Sequence, residues 1–161
     1  MRNFISIIFV ASLLFTAPLS FDLNAQAGTQ KSQNDDMKQK YRKARVLQTS
    51  TAKKITKVVE ALERVNEEGK EDPDWVTVRA ILNELLANKD ELKSYDRSVM
   101  WNYWGYVYFS DEDYDRAMYA YEQLLQEPEA TIPLRTASLF TVAQLYMVKG
   151  NFQKGIDYIL R

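Results

Sequence analysis

Residues 98–161 carry one helix-turn-helix pattern and most of a second copy, and this repetition constrains the chain more than any other feature. Trp101, Trp104, Gly105 and Tyr108 are followed by Tyr114, Ala117 and Tyr121. Leu139, Val142, Ala143 and Tyr146 are then followed by Phe152, Gly155 and Ile159, each 38 positions after its counterpart. A period of about 20–50 residues is the mark of a chain built as stacked units. The spacing also says which units. Trp101, Trp104 and Tyr108 step by three and four, so they form one stripe on a first helix. Ser110 to Asp113 make a polar turn, and Tyr114, Ala117 and Tyr121 line a second helix. Each aromatic ring can bury about 150–250 Å², worth roughly 4–6 kcal/mol before entropy is subtracted. The stripe is therefore read as core. Gly105 costs the helix about 1 kcal/mol relative to alanine, so its presence there predicts the close approach of another backbone.

The layout resembles the tetratricopeptide repeat (TPR), whose pattern is W-x2-L-G-x2-Y, A-x3-F/Y and a closing P. Trp101, Gly105, Tyr108, Ala117 and Tyr121 match it. Trp104 stands in for the leucine, and Pro128 falls one residue early. In the second copy only Tyr146 is identical to the pattern, while Leu139, Val142, Ala143 and Gly155 keep size and spacing. The period exceeds the usual TPR length of about 34 residues, and the excess fits a linker from Glu127 to Arg135 that holds Pro128 and Pro133. The resemblance implies an all-α fold, with antiparallel helix-turn-helix hairpins stacked as a TPR-like α-solenoid.

The start of the chain has a different character. Arg2 supplies a positive start, Phe4 to Leu14 is almost continuously apolar, and Ala25-Gln26-Ala27 offers a small-x-small cleavage site. Residues 1–27 are thus read as a signal peptide, too short in its apolar run for the roughly 20 residues that span a bilayer. Cleavage after Ala27 exports the mature chain, which in a Gram-negative cell is periplasmic. No cysteine follows to take a lipid. Residues 28–43 form a flexible basic lead-in. Between 28 and 57 there are nine Lys and Arg against two Asp, whereas 58–130 hold 18 acidic against seven basic side chains. The total of −1 hides this asymmetry and favours no nucleic acid. We read the basic stretch as a solvated helical face.

Residues 44–161 are read as the TPR-like helical domain: a divergent hairpin 44–93, a repeat 98–131 and an incomplete repeat 136–161. Leu47, Thr51, Ile55, Val59, Leu62 and Val65 predict a helix from about 44 to 68, stopped by Gly69. Asp72, Pro73 and Asp74 start a second helix, with proline in its first turn, and Trp75, Val78, Leu82, Leu85 and Leu86 carry it to about Asn88. Asp90 to Asp96 connect it to the next hairpin. Ile156, Ile159 and Leu160 give the last helix an apolar face. A solenoid ends on a polar cap, so we expect further chain beyond Arg161 or a partner that covers this face.

Chemistry finds little footing. The chain has no cysteine and no histidine, which removes thiol catalysis, imidazole bases and nearly all zinc and haem sites. The acidic clusters lack calcium-loop spacing, and Thr51 and Lys54 lack an S-x-x-K or nucleophile-elbow setting. No metal, cofactor or enzymatic activity is expected. Binding is the better reading. The TPR resemblance implies that first helices line a groove for a peptide or a partner helix. Its candidate residues are Asn102, Tyr103, Tyr106 and Phe109, then Phe140, Thr141, Gln144 and Met147. The Lys/Arg/Asn clamp of chaperone-binding TPRs is absent, because Ala137, Thr141 and Tyr106 hold its places. Leader, basic arm and the run Trp101-Asn102-Tyr103-Trp104-Gly105-Tyr106 resemble the periplasmic TPR proteins that accompany TonB energy-transduction systems. This implies a non-enzymatic accessory or scaffold of an envelope transport complex, with a TonB-complex subunit as partner and membrane contact only through the leader or that partner. The alternatives are an adaptor for peptidoglycan or outer-membrane assembly, and a helical appendage of an enzyme lying beyond residue 161.

Overall fold

The computed structural model describes residues 45–161, so the expected signal peptide and lead-in lie outside the described residues. Six α-helices account for most of the described chain: α1 (Thr49–Leu62), α2 (Trp75–Ala87), α3 (Ser94–Ser110), α4 (Tyr114–Gln126), α5 (Ile132–Val148) and α6 (Phe152–Ile159). Among these residues there is no strand, only an isolated bridge between Val65 and Glu71. Each helix packs on the next, and α3 also touches α5. Residue pairing shows that neighbours run in opposite directions. Between α3 and α4, Phe109 meets Tyr114, Gly105 meets Tyr121 and Arg97 meets Glu127, so one number falls as the other rises. In the first hairpin Lys54 pairs with Glu84 at 2.9 Å and Arg64 with Asp72 at 2.7 Å.

The first hairpin differs from the sequence reading at its bend. α1 ends at Leu62, short of the expected residue 68, because the chain beyond it has better local partners. Asn66 Oδ1 accepts from the backbone N–H groups of Glu68 and Lys70, both at 3.0 Å, and Asn side chains favour such turns over continued helix. Gly69 does not cap the helix. It takes φ +74° inside this turn, a conformation that costs glycine little. Pro73 lies outside the first turn of α2, since Asp74 is the N-cap and accepts from Thr77 N–H at 3.0 Å. The link to the next hairpin is also shorter than expected. Lys89–Glu91 form a 3₁₀ turn and α3 begins at Ser94, so Asp96 is a buried member of its first turn.

α3 is the central helix. Trp101, Trp104, Gly105 and Val107 are buried on it, and Trp104 stacks on Tyr108 at 5.0 Å. The expectation of a backbone against Gly105 is corrected: what fills the space is the phenol ring of Tyr121. A Cβ at Gly105 would sit 2.6 Å from that ring, well inside van der Waals contact. One apolar cluster joins α1, α2, α3 and α4 through Val58, Val78, Leu82, Leu85, Met100, Trp101, Trp104 and Leu124. A second joins α4 and α5 through Ala117, Met118, Tyr121, Val142 and Leu145. Tyr108 packs against both.

The third hairpin repeats the second in both helix starts and in the end of its first helix. α3 and α5 begin at Ser94 and Ile132 and end at Ser110 and Val148, 38 apart at both ends, and α4 and α6 begin at Tyr114 and Phe152, again 38 apart. The N-caps Asp113 and Asn151 accept from Arg116 and Lys154 N–H. Those same basic side chains lie over the Tyr108 and Tyr146 rings at 4.9 and 5.2 Å. The left-handed position of the turn is Glu112 (φ 59°) in one copy and Gly150 (φ 77°) in the other. The expected linker from Glu127 to Arg135 is shorter, because Thr131 caps α5 and Pro133 falls in its first turn, where a missing N–H costs nothing. Glycine has also changed helices: in the third hairpin it is Gly155 on α6 that allows close approach, its Cβ position lying 2.9 Å from the Ala143 carbonyl oxygen.

Two predictions follow the repeat. Gly105→Ala loses about 1–3 kcal/mol to overpacking and regains about 1 kcal/mol of helix propensity, a net destabilisation, while Gly105→Leu unfolds the hairpin. Combining Gly105→Ala with Tyr121→Leu costs less than the two single losses added together, as urea denaturation will read. Glu112→Gly relieves a left-handed penalty of roughly 1–2 kcal/mol, against about 0.5–1 kcal/mol of glycine entropy, and so is neutral or raises Tm. Gly150→Ala lowers it.

Candidate partner-binding face

The candidate residues come from α3 and α5, the two first helices that touch, but the structure gives them unequal surroundings. Asn102 and Gln144 are partly exposed. Among the described residues their side-chain amides hydrogen-bond to nothing else, which leaves both free to donate and accept. Phe140 is 57% exposed. Thr141 is partly exposed, with its hydroxyl donating to the Ala137 carbonyl at 3.0 Å. These four form the open part of the face.

The other four are engaged within the fold. Tyr106 rests on Trp75 with ring centroids 6.1 Å apart. Trp75 in turn lies 5.6 Å from the Arg79 guanidinium, which holds both carboxylate oxygens of Asp111 at 2.5 and 2.7 Å. This ladder ties α2 to the turn after α3, and Tyr106 stays half-buried. Tyr103 packs against the first apolar cluster, and burial, aided by the nearby Glu63 carboxylate, holds its hydroxyl above the ordinary tyrosine range. Phe109 meets Tyr114 at 5.9 Å. Met147 lies over Gly155, its Cγ 2.7 Å from where a Cβ would stand, and so sits at the seam of α5 and α6. Two hollows, of about 370 and 300 Å³, lie elsewhere. One is lined by Gln48, Ser50, Thr51 and Lys54 among others, and the second by Glu122, Leu125 and Tyr158 with Gln126 and Arg161. The candidate face is thus open surface, and among the described residues no three acidic side chains gather to hold a metal.

A polar junction at the start of the first helices was not anticipated. The backbone N–H of Gln48, the α1 N-cap, donates to Asp96 Oδ1 at 3.1 Å, and the N–H of Lys93, the α3 N-cap, donates to Gln48 Oε1 at 3.3 Å. Each helix start is served by the other's side chain, a capping exchange between two helices rather than within one. Beside it Arg97 grips Glu127 with bonds of 2.7 and 2.8 Å and also donates to the Leu92 carbonyl at 2.6 Å. The Glu127 hydrogen bond raises the Arg97 pKa further, so the guanidinium stays charged. Arg135, 38 residues later, donates to the Leu125 and Glu127 carbonyls at 2.8 and 2.7 Å. The recurring arginine was the one signal in the sequence that could have revealed this junction. The pairing of Gln48 with Asp96 has no local spacing to betray it.

Substitutions will separate open from engaged residues. Tyr103→Ala costs about 3 kcal/mol through the void it leaves, whereas Phe140→Ala stays within about 0.5 kcal/mol. Glu127→Ala strands a partly buried guanidinium and costs roughly 1–3 kcal/mol after allowance for its solvent access. Thermal and urea melts of the three variants give the order directly.

No family model, curated protein or solved structure matches this chain.

Proposed function

We propose that residues 44–161 form a TPR-like α-solenoid that works as a non-enzymatic protein-interaction module of the cell envelope. The observation that carries this reading is the 38-residue recurrence of helix bounds, N-caps and cation–ring contacts in two consecutive hairpins. A chain that spends its sequence on repeating one packing unit builds a surface rather than a cleft. Helices α3 and α5 contribute the exposed Phe140 and the half-buried Tyr106 as apolar anchors, and the unpaired amides of Asn102 and Gln144 as hydrogen-bonding groups. That mixture suits an extended peptide or an amphipathic helix, which brings backbone hydrogen-bonding groups or an apolar stripe. A small molecule would need more enclosure.

The leader read in residues 1–27 places this module in the periplasm, and its resemblance to TPR accessories of TonB systems makes a TonB-complex subunit the partner. In that role the chain is a scaffold, with its groove holding a segment of the transport complex. Capture from a periplasmic and membrane extract, with the tagged native chain as bait, is expected to recover inner-membrane TonB components. Phe140→Ala combined with Asn102→Ala should weaken that capture at least tenfold without lowering Tm. Recovery of cell-wall enzymes or porin-assembly factors instead would assign the module to envelope maintenance. Retention of TonB components by the double variant would move the binding surface off this face. N-terminal sequencing of the exported protein should begin at Gly28.

A further inference from the structure

The joint between the second and third hairpins is held partly from outside both. Its centre is the short linker between α4 and α5, where Glu127 and Ala130 are buried. Arg97 and Arg135, 38 positions apart, grip this linker from the two first helices, and Ser94 Oγ accepts the Glu129 N–H at 3.0 Å. Those contacts join neighbouring units, as in any array whose repeats touch only the next one. Arg45 breaks the pattern. Its guanidinium donates to the Glu129 carbonyl, and to the Ala130 carbonyl at 3.3 Å, across 84 and 85 positions of chain. A residue that precedes the first hairpin thus fastens the entry to the third.

We propose that residues 45–48 are a clasp that couples the basic N-terminal segment to the third hairpin. At its inner end Gln48 is fastened to Asp96 and Lys93 at the start of α3, and Leu47 packs on the first apolar cluster. At its outer end Arg45 holds the carbonyls just ahead of Thr131, the N-cap of α5. The outer end is lightly held. Arg45 is exposed and Val46 is 79% exposed, and a segment that buries so little apolar surface opens at small cost. Arg45 also belongs to the basic stretch 28–57, so whatever engages that stretch competes for the clasp. Closed, it steadies the start of α5 beside α3. Opened, it leaves the two carbonyls to solvent and loosens the third hairpin, while the second keeps its own ring and ion-pair contacts. The coupling stands on this joint alone and does not rest on the partner face above.

Hydrogen–deuterium exchange of the mature chain, read peptide by peptide, tests it. Arg45→Ala is expected to speed exchange in α5 and α6 about two- to tenfold, with α2 and α4 unchanged. Arg45→Lys, which keeps a donor and the charge, should fall between this variant and the native chain. Lys53→Ala, on the exposed side of α1, should leave α5 and α6 as they are. Coupling is reciprocal, so Arg135→Ala, which loosens the joint from α5, should speed exchange at residues 46–52. Unchanged exchange in α5 and α6 of Arg45→Ala overturns the proposal. So does a change confined to α1, an equal effect from Lys53→Ala, or no response at 46–52 when Arg135 is removed.

Discussion

The phenol ring of Tyr121 occupies the volume that Gly105 leaves empty, and the geometry of the central hairpin depends on that substitution of ring for side chain. Because the ring enters α3 itself, α3 and α4 lie close enough for Ala117 to be fully buried between them. Trp104 and Tyr108 can then stack along the same helix, and Tyr108 can belong to both apolar clusters. A bulkier residue at 105 would push α4 away and separate the two clusters. Burial also holds the Tyr121 hydroxyl far above the ordinary tyrosine range. The ring therefore stays neutral at any pH the protein meets, and the contact is not weakened by ionisation.

The copies solve the same packing problem with different residues. In the second hairpin the missing Cβ is on the first helix, at Gly105, and the small residue opposite is Ala117. In the third the order is reversed, with Ala143 on the first helix and Gly155 on the second. The turn shows the same freedom. Glu112 accepts a left-handed conformation that Gly150 adopts without strain, and Arg116 and Lys154 perform one task over their respective tyrosines. What is repeated is a set of volumes and backbone angles, which several residue types can satisfy.

Polar contacts hold the ends of the hairpins as the rings hold their middles. Arg97 and Arg135 each stand in the second turn of a first helix and satisfy carbonyls of the segment that precedes it. The Leu92 and Leu125 carbonyls end a 3₁₀ turn and a helix, where intrahelical donors run out, and the Glu127 carbonyl also accepts from the Ala130 N–H at 3.1 Å. Tyr146 and Tyr158 both donate to Glu122 Oε1, at 3.3 and 2.6 Å, and tie α5 and α6 back to α4. Burial first, and then that carboxylate, push the Tyr158 hydroxyl up to about 12. Successive hairpins are thus linked by charge-assisted hydrogen bonds at their edges and by apolar burial between them.

By itself the sequence determined the helical class, the 38-residue unit, the aromatic stripe of α3 and the polar turn at 110–113. These follow from periodicity and turn chemistry, which are local and need no knowledge of neighbours. Only the tertiary structure decided what Gly105 faces, because a gap in a stripe announces a close approach without naming its occupant. Only it decided that α1 stops at Leu62, since the competing partner is a turn closed by Asn66 rather than a helix breaker. The candidate face shows the same division. Spacing placed all eight residues on first helices, but whether Tyr103 and Met147 are open or engaged depends on α1, α2 and α6 lying against them. Burial is a property of pairs of elements, and the contact between Gln48 and Asp96, 48 residues apart, exists only once those elements have met.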